Sequence, residues 1–262
     1  MKYNRNRVAF EADDTRDSRE NFETGQQVTL CYQMADIIII NNEKIISSGT
    51  DKYEKLSKIV QRYINIIEGK ESFAPTEQET LMSMAYANSM RSSCSQRKVG
   101  ALIIDEYGNV FSSGYNEVPS SERPCKNEYG KCYRKYLREK FSSELTGIIK
   151  DDETRNKTNA IVKDHFKALD YCRALHAEES AIVNMARLGG IKNLSDATLY
   201  TTTYPCNLCA NKIAQVGIRR LVYFEPYPQK EAKAILKAHK VEQIPFEGVT
   251  FNGYFRFMEV LR

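Results

Sequence analysis

Histidine is scarce in this chain, three residues in 262, and tryptophan is absent. Without tryptophan the largest stacking surface for an unpaired base is missing, which weighs against a groove built to grip single-stranded nucleic acid. No unbroken apolar run reaches the roughly 20 residues needed to cross a bilayer as a helix. The longest aliphatic cluster, "ADIIIINN" at 35–42, has the length of a strand. No segment resembles a signal peptide, so a cytoplasmic location without membrane contact is expected. The seven cysteines are odd in number and form no disulfide-like array, which favours free thiols or metal ligands over bridges. A net charge of +4 permits a phosphate-bearing ligand but is too small to announce a nucleic-acid binder. Also lacking is any Gly-x-x-x-x-Gly-Lys-Ser/Thr run, the backbone cradle of a P-loop, so the chain cannot work as a P-loop kinase.

What is present describes a soluble globular protein, 42% hydrophobic and 27% charged, long enough for one large domain or a domain with an appendage. The chain divides near residue 70, into a part over 1–70 and a main domain over 71–262. Thr76 and Glu79 form a capping box after Pro75 and open a helix over "TEQETLMSMAYANSM". "VGALIID" at 99–105 and "NVFSSGY" at 109–115 read as a hairpin around Tyr107-Gly108-Asn109. A charged, mostly helical insertion covers about 117–171. A helix from His176 to Leu188 ends at Gly189-Gly190, and then strand and helix alternate through "ATLYTTT", Cys206 to Val216, "RRLVYFE" and Lys230 to His239. That alternation predicts an α/β fold, a mixed β-sheet with parallel members flanked by helices.

One of the three histidines sits in "LHAEES", two positions before a glutamate. Residues i and i+2 share no helix face, so His176 and Glu178 make a poor surface pair, but at a helix start they can converge on one point. Thirty residues on, "TYPCNLC" places Cys206 and Cys209 one turn apart at the start of a second helix, where the helix dipole favours thiolates. One imidazole, two thiolates and an open fourth position make a catalytic zinc site. The unligated Glu178 is then the acid/base.

The segments "SSCSQRKVGALIID", "GYNEVP", "LHAEESAI" and "TLYTTTYPCNLCANKI" resemble the cytidine and deoxycytidylate deaminase superfamily in order and spacing over most of 76–225. The Val-Gly-Ala strand, the Gly-Tyr-Asn turn and the long insertion are more similar to deoxycytidylate deaminases than to tRNA adenosine deaminases. The resemblance implies a three-layer cytidine deaminase-like fold, Zn2+ on His176, Cys206 and Cys209, and Glu178 as proton shuttle. The substrate would be a deoxycytidine nucleotide, dCMP or dCTP. Asn116 would contact its sugar or base edge, and the Ala177 backbone its pyrimidine. Tyr204 is either a wall of the substrate pocket or a core tyrosine.

"RDSRENFETGQQVTLCYQMADIIIINNEKI", followed by "YEKLSKIVQRYINIIEG", resembles the last part of a P-loop nucleotide kinase. A kinase-like part upstream of a deaminase is the architecture of bacterial anti-phage deoxycytidine nucleotide deaminases, which implies a defence role through dCTP depletion. A plain helical extension is the other reading. Family analogy further implies a homo-oligomer and either an allosteric nucleotide or an inhibitory RNA as partner. A polynucleotide cytosine deaminase and a catalytically silent zinc module are the competing functions.

Two features stay open. The stretch 123–140 has seven Lys/Arg against two Glu and, with Arg97 and Lys98, either binds phosphate or is a solvated face. Cys94, Cys125, Cys132 and Cys172 form either a second zinc site, as in some deoxycytidylate deaminases, or isolated thiols. Cys31 reads as a buried apolar residue.

Overall fold

The computed structural model describes residues 6, 8, 28–41, 54–70, 74–165, 171–190, 194–226 and 230–260. In chain order the elements are α1 (Val28–Met34), β1 (Ile37–Ile38), α2 (Glu54–Ile67), α3 (Glu77–Ser89), β2 (Gly100–Ile104) and β3 (Val110–Tyr115). Next come α4 (Cys125–Tyr129), α5 (Tyr133–Ile148), α6 (Asp152–His165), α7 (Ala177–Arg187), β4 (Thr198–Thr203) and α8 (Asn207–Val216). The chain closes with β5 (Arg220–Glu225), α9 (Lys230–Ala238), β6 (Glu242–Pro245), β7 (Gly248–Val249) and α10 (Phe251–Val260). Two compact units result, one of residues 1–83 with 245–262 and one of residues 84–244.

The larger unit holds a five-stranded sheet in the order β3-β2-β4-β5-β6. β2 pairs antiparallel with both β3 and β4, while β4 and β5 run parallel, so the sheet is mixed. β2 and β4 are buried on both faces, and the two-residue period sorts the side chains. Ala101, Ile103, Leu199 and Leu221 point to one face, where Ala177, Ala181, Ala210, Ile213 and Leu236 meet them. On the other face the ring of Phe224 meets Tyr86 of α3 edge-on, with centroids 5.1 Å apart. Helices thus flank both faces, which is the three-layer arrangement expected.

Glycine decides how closely α7 lies on the sheet. A Cβ on Gly114 would sit 2.2 Å from the Ala177 carbonyl oxygen and 2.2 Å from the Ala181 nitrogen. The Asn184 side chain and the Ser112 hydroxyl complete this seam, donating to the carbonyls of Ser113 and Ala181. The start of α7 is therefore held against β3 by backbone proximity.

In the smaller unit β1 pairs antiparallel with β7, and Tyr63 and Ile66 of α2 are buried with Val249. The capping box forms as expected: the Thr76 N–H donates to Glu79 Oε2 at 2.7 Å and the Glu79 N–H to Thr76 Oγ1 at 3.2 Å. The buried Glu79 carboxylate also accepts from both ends of the Arg62 guanidinium, 3.3 Å each, and from the Val249 N–H at 2.8 Å. Cys31 is exposed, contrary to the sequence reading. It lies on α1, a seven-residue helix on which Val28, Leu30 and Met34 are exposed too. Much of the kinase-like resemblance, over 16–27 and 42–53, lies outside the described residues.

Candidate active site

Two helix starts meet. His176 is the N-cap of α7 and Cys206 the N-cap of α8, with Cys209 buried one turn further. A residue in the first turn of α7 and one in the second turn of α8 link them. The Glu179 carboxylate turns back to accept the His176 N–H at 3.4 Å and pairs with Lys212 of α8 at 3.1 Å, tying the two starts together. His176 Nδ1 lies 3.3 Å from Cys206 Sγ and 3.4 Å from Cys209 Sγ. The three ligand atoms fall within 4.8 Å of one another, and no other such His/Cys/Asp/Glu group exists among the described residues. One nitrogen and two sulfurs converging from one side are a donor set that suits zinc and leaves a fourth position open.

Proton placement follows from contact and burial. The Cys209 thiol donates to Cys206 and the His176 ring stands beside it, which pulls Cys206 down to about 4 against the effect of burial. Cys209, the donor in that bond and deeply buried, is pushed well up. His176 is raised by the same Cys206 thiolate. The buried Glu178 carboxyl is raised by loss of solvent. Thr201 Oγ1 lies 3.4 Å from Glu178 Oε1 and donates to the Thr203 carbonyl at 3.0 Å.

A cavity of about 200 Å³ opens beside these groups, and Asn116, Ala177, Glu178 and Tyr204 all line it. Asn116 is held rigidly: its Oδ1 accepts the Val99 N–H at 2.7 Å and its Nδ2 donates to the Arg97 carbonyl at 2.8 Å. One N–H and one lone pair of its amide stay available. Tyr204 is both wall and core. Its hydroxyl donates to Gln243 at 2.6 Å and its ring meets Tyr223 in a T-shaped contact, which fixes it in place. Arg97 reaches the cavity too but pairs with the buried Glu225, whereas Lys98 is exposed and donates to the Met90 carbonyl.

The region of residues 75–225 matches the family described as the cytidine and deoxycytidylate deaminase zinc-binding region. The chain belongs to this family. It is a hydrolytic deaminase, with zinc as its cofactor. The deoxycytidylate deaminase of Enterobacteria phage T2 is 33% identical over 157 residues, covering 58% of this chain and 81% of the relative. That of Schizosaccharomyces pombe is 31% identical over 234 residues, covering 89% of this chain and 58% of the relative. Among solved structures, a dCMP deaminase from the cyanophage S-TIM5, in complex with dCMP and dUMP, is similar at 24% identity and a TM-score of 0.45. It spans 67% of this deaminase and 100% of its own chain.

Beyond the motif residues, the insertion contributes to the site. Cys94, Cys125, Cys132 and Cys172 line one small cavity of about 30 Å³ that adjoins the larger one. Arg173 stacks over Tyr129 at 5.2 Å and pairs with Glu122 at 2.8 Å, which pins the insertion beside the residues leading into His176. Tyr129 and Tyr133 lie within the basic run of 123–140. Their stacking with a cation about 40 residues away has no signature in local spacing.

Proposed function

We propose that this deaminase converts dCMP to dUMP and ammonia, with zinc held by His176, Cys206 and Cys209. The observation that carries the reading is a buried carboxyl, Glu178, beside the imidazole–thiol cluster in a cavity with room for a nucleobase. Zinc, when bound, supplies Lewis-acid activation of water near neutral pH. Glu178 accepts a proton from the attacking water as the water oxygen adds to C4 of cytosine, and delivers the proton to N3. The second water proton passes through the same carboxyl to the amino nitrogen. The C4–N bond then breaks, ammonia leaves, and the C4 carbonyl of uracil forms. Asn116 and the Ala177 backbone orient the ring, and the Tyr204 face excludes water.

Deoxycytidylate is favoured as substrate by the relatives that bear that name. The kinase-like reading of 1–70, with dCTP depletion in phage defence, has its support in sequence resemblance alone. One experiment separates the substrates: zinc-loaded protein offered dCMP, dCTP, CMP, CTP and cytosine-containing single-stranded DNA, with uracil products resolved by chromatography. Turnover of dCMP above the rest is expected. Preference for dCTP moves the assignment to the triphosphate, and inactivity on every free nucleotide overturns it.

A further inference from the structure

Two described cations line the active-site cavity, Arg97 and Arg134. Arg97 is neutralised by Glu225. Arg134, near the start of α5 in the insertion, makes no ion pair among the described residues, and its Nε is shut off from solvent without a hydrogen-bond partner. A buried guanidinium N–H left unsatisfied is costly and calls for a partner that the described residues do not supply. The acid that lines the adjoining cavity with it does not do so. Glu117, on the adjoining small cavity, gives its oxygens to the N–H groups of Ser93 and Val118.

Position says which ligand atom Arg134 meets. Cys94, Arg134, Cys172 and Ala174 line both cavities, whereas His176, Glu178 and Cys206 line only the larger. Arg134 therefore stands on the wall shared with the small cavity, and the metal ligands do not. A nucleotide whose cytosine C4 is at Glu178 directs its 5′ substituent away from the metal, to a wall of this kind. We propose that Arg134 anchors the 5′-phosphate and so makes the site selective for a nucleoside monophosphate. This rests on the dCMP reading above. A guanidinium grips phosphate oxygens through paired N–H groups, which an ammonium cannot reproduce. One unpaired cation matches one phosphate: a triphosphate would bring two further charged groups with no other unpaired described cation lining the cavity.

The test uses the zinc-loaded full chain, comparing wild type, Arg134→Gln and Arg134→Lys with dCMP, dCTP and deoxycytidine, together with zinc content and melting temperature. Arg134→Gln should raise the KM for dCMP by about 10- to 100-fold, as for a lost charged hydrogen bond, with kcat within a few-fold. Turnover of deoxycytidine should stay unchanged, and Arg134→Lys should recover part of the dCMP loss. An unmoved KM for dCMP overturns the proposal. So does a kcat loss at constant KM, or an equal loss on dCMP and deoxycytidine, because either marks a structural role. If Arg134→Gln does not fold, Arg134→Lys decides by the same KM criterion. Wild type that turns over dCTP but not dCMP overturns the substrate reading itself, whereas active wild type with an unmoved variant KM overturns only the role of Arg134.

Discussion

Gly114→Ala is expected to damage stability and catalysis together, because the same backbone contact underlies both. The added methyl would stand 2.2 Å from two main-chain atoms of α7, where ordinary contact begins at 3.4 Å, so the helix must retreat by about 1 Å. Neither atom belongs to a flexible side chain that could turn aside. Overpacking of this kind costs about 1–3 kcal/mol, to be read as a lower urea midpoint at constant m. The retreating segment begins at Ala177, directly after His176 and directly before Glu178. A displacement near 1 Å at a reacting centre costs on the order of 100-fold in rate, to be read as kcat/KM for dCMP. Gly147 in α5 is the control. A Cβ there meets nothing within 4 Å, so Gly147→Ala should stabilise by about 0.4–1 kcal/mol and leave turnover alone. Wild-type stability and turnover in Gly114→Ala would refute the claim that this close approach sets the position of α7.

Cys206→Ala and Cys209→Ala should each lose the roughly one zinc per chain of the wild type, since the remaining pair of ligands cannot complete a site that needs three protein donors. Elemental analysis after dialysis checks this, and full retention in both would dismiss the ligand set. Zinc affinity should fall as pH is lowered, because Cys209 and His176, both raised, must shed protons to bind metal. Competition with a chelator at several pH values measures it. Glu79→Gln should destabilise by about 1–3 kcal/mol by weakening the buried pairing with Arg62. Burial alone would raise Glu79, but Arg62 and the N–H groups of Val249 and Thr76 outweigh it and hold the carboxyl low. Its contribution is therefore present above the unfolded value of about 4.3 and is lost as pH falls further, through the folded value. The variant should show a shallower loss of stability over that acid range.

Local chemistry was legible in the sequence and long-range chemistry was not. The capping box at Thr76 and Glu79, the hairpin, and the helix starts at His176 and Cys206 all follow from residues within one or two turns. The structure forms each of them. The meeting of His176 with Cys206 and Cys209 was also readable, because the donor types themselves imply a shared ion. Glu79 shows the limit. Its capping role is local, but its contacts with Arg62 and Val249 span 17 and 170 residues and carry no spacing signal. The same holds for Arg134, one of seven cations in a basic run and distinguished only by lining a cavity while making no ion pair among the described residues. Glu179 is a third case. One residue past Glu178, it has no role in the motif chemistry, yet folding turns it back to hold the His176 turn and Lys212.

The most direct test of the account is Glu178→Ala in the zinc-loaded protein, with dCMP turnover and zinc content measured on one preparation. Glu178 is not a ligand in this scheme, so zinc should stay near the wild-type level while dUMP formation falls by about 100- to 10,000-fold, the usual cost of removing a positioned acid/base. Wild-type turnover with zinc retained, or loss of the zinc itself, would contradict the assignment of Glu178 as the group that moves the proton.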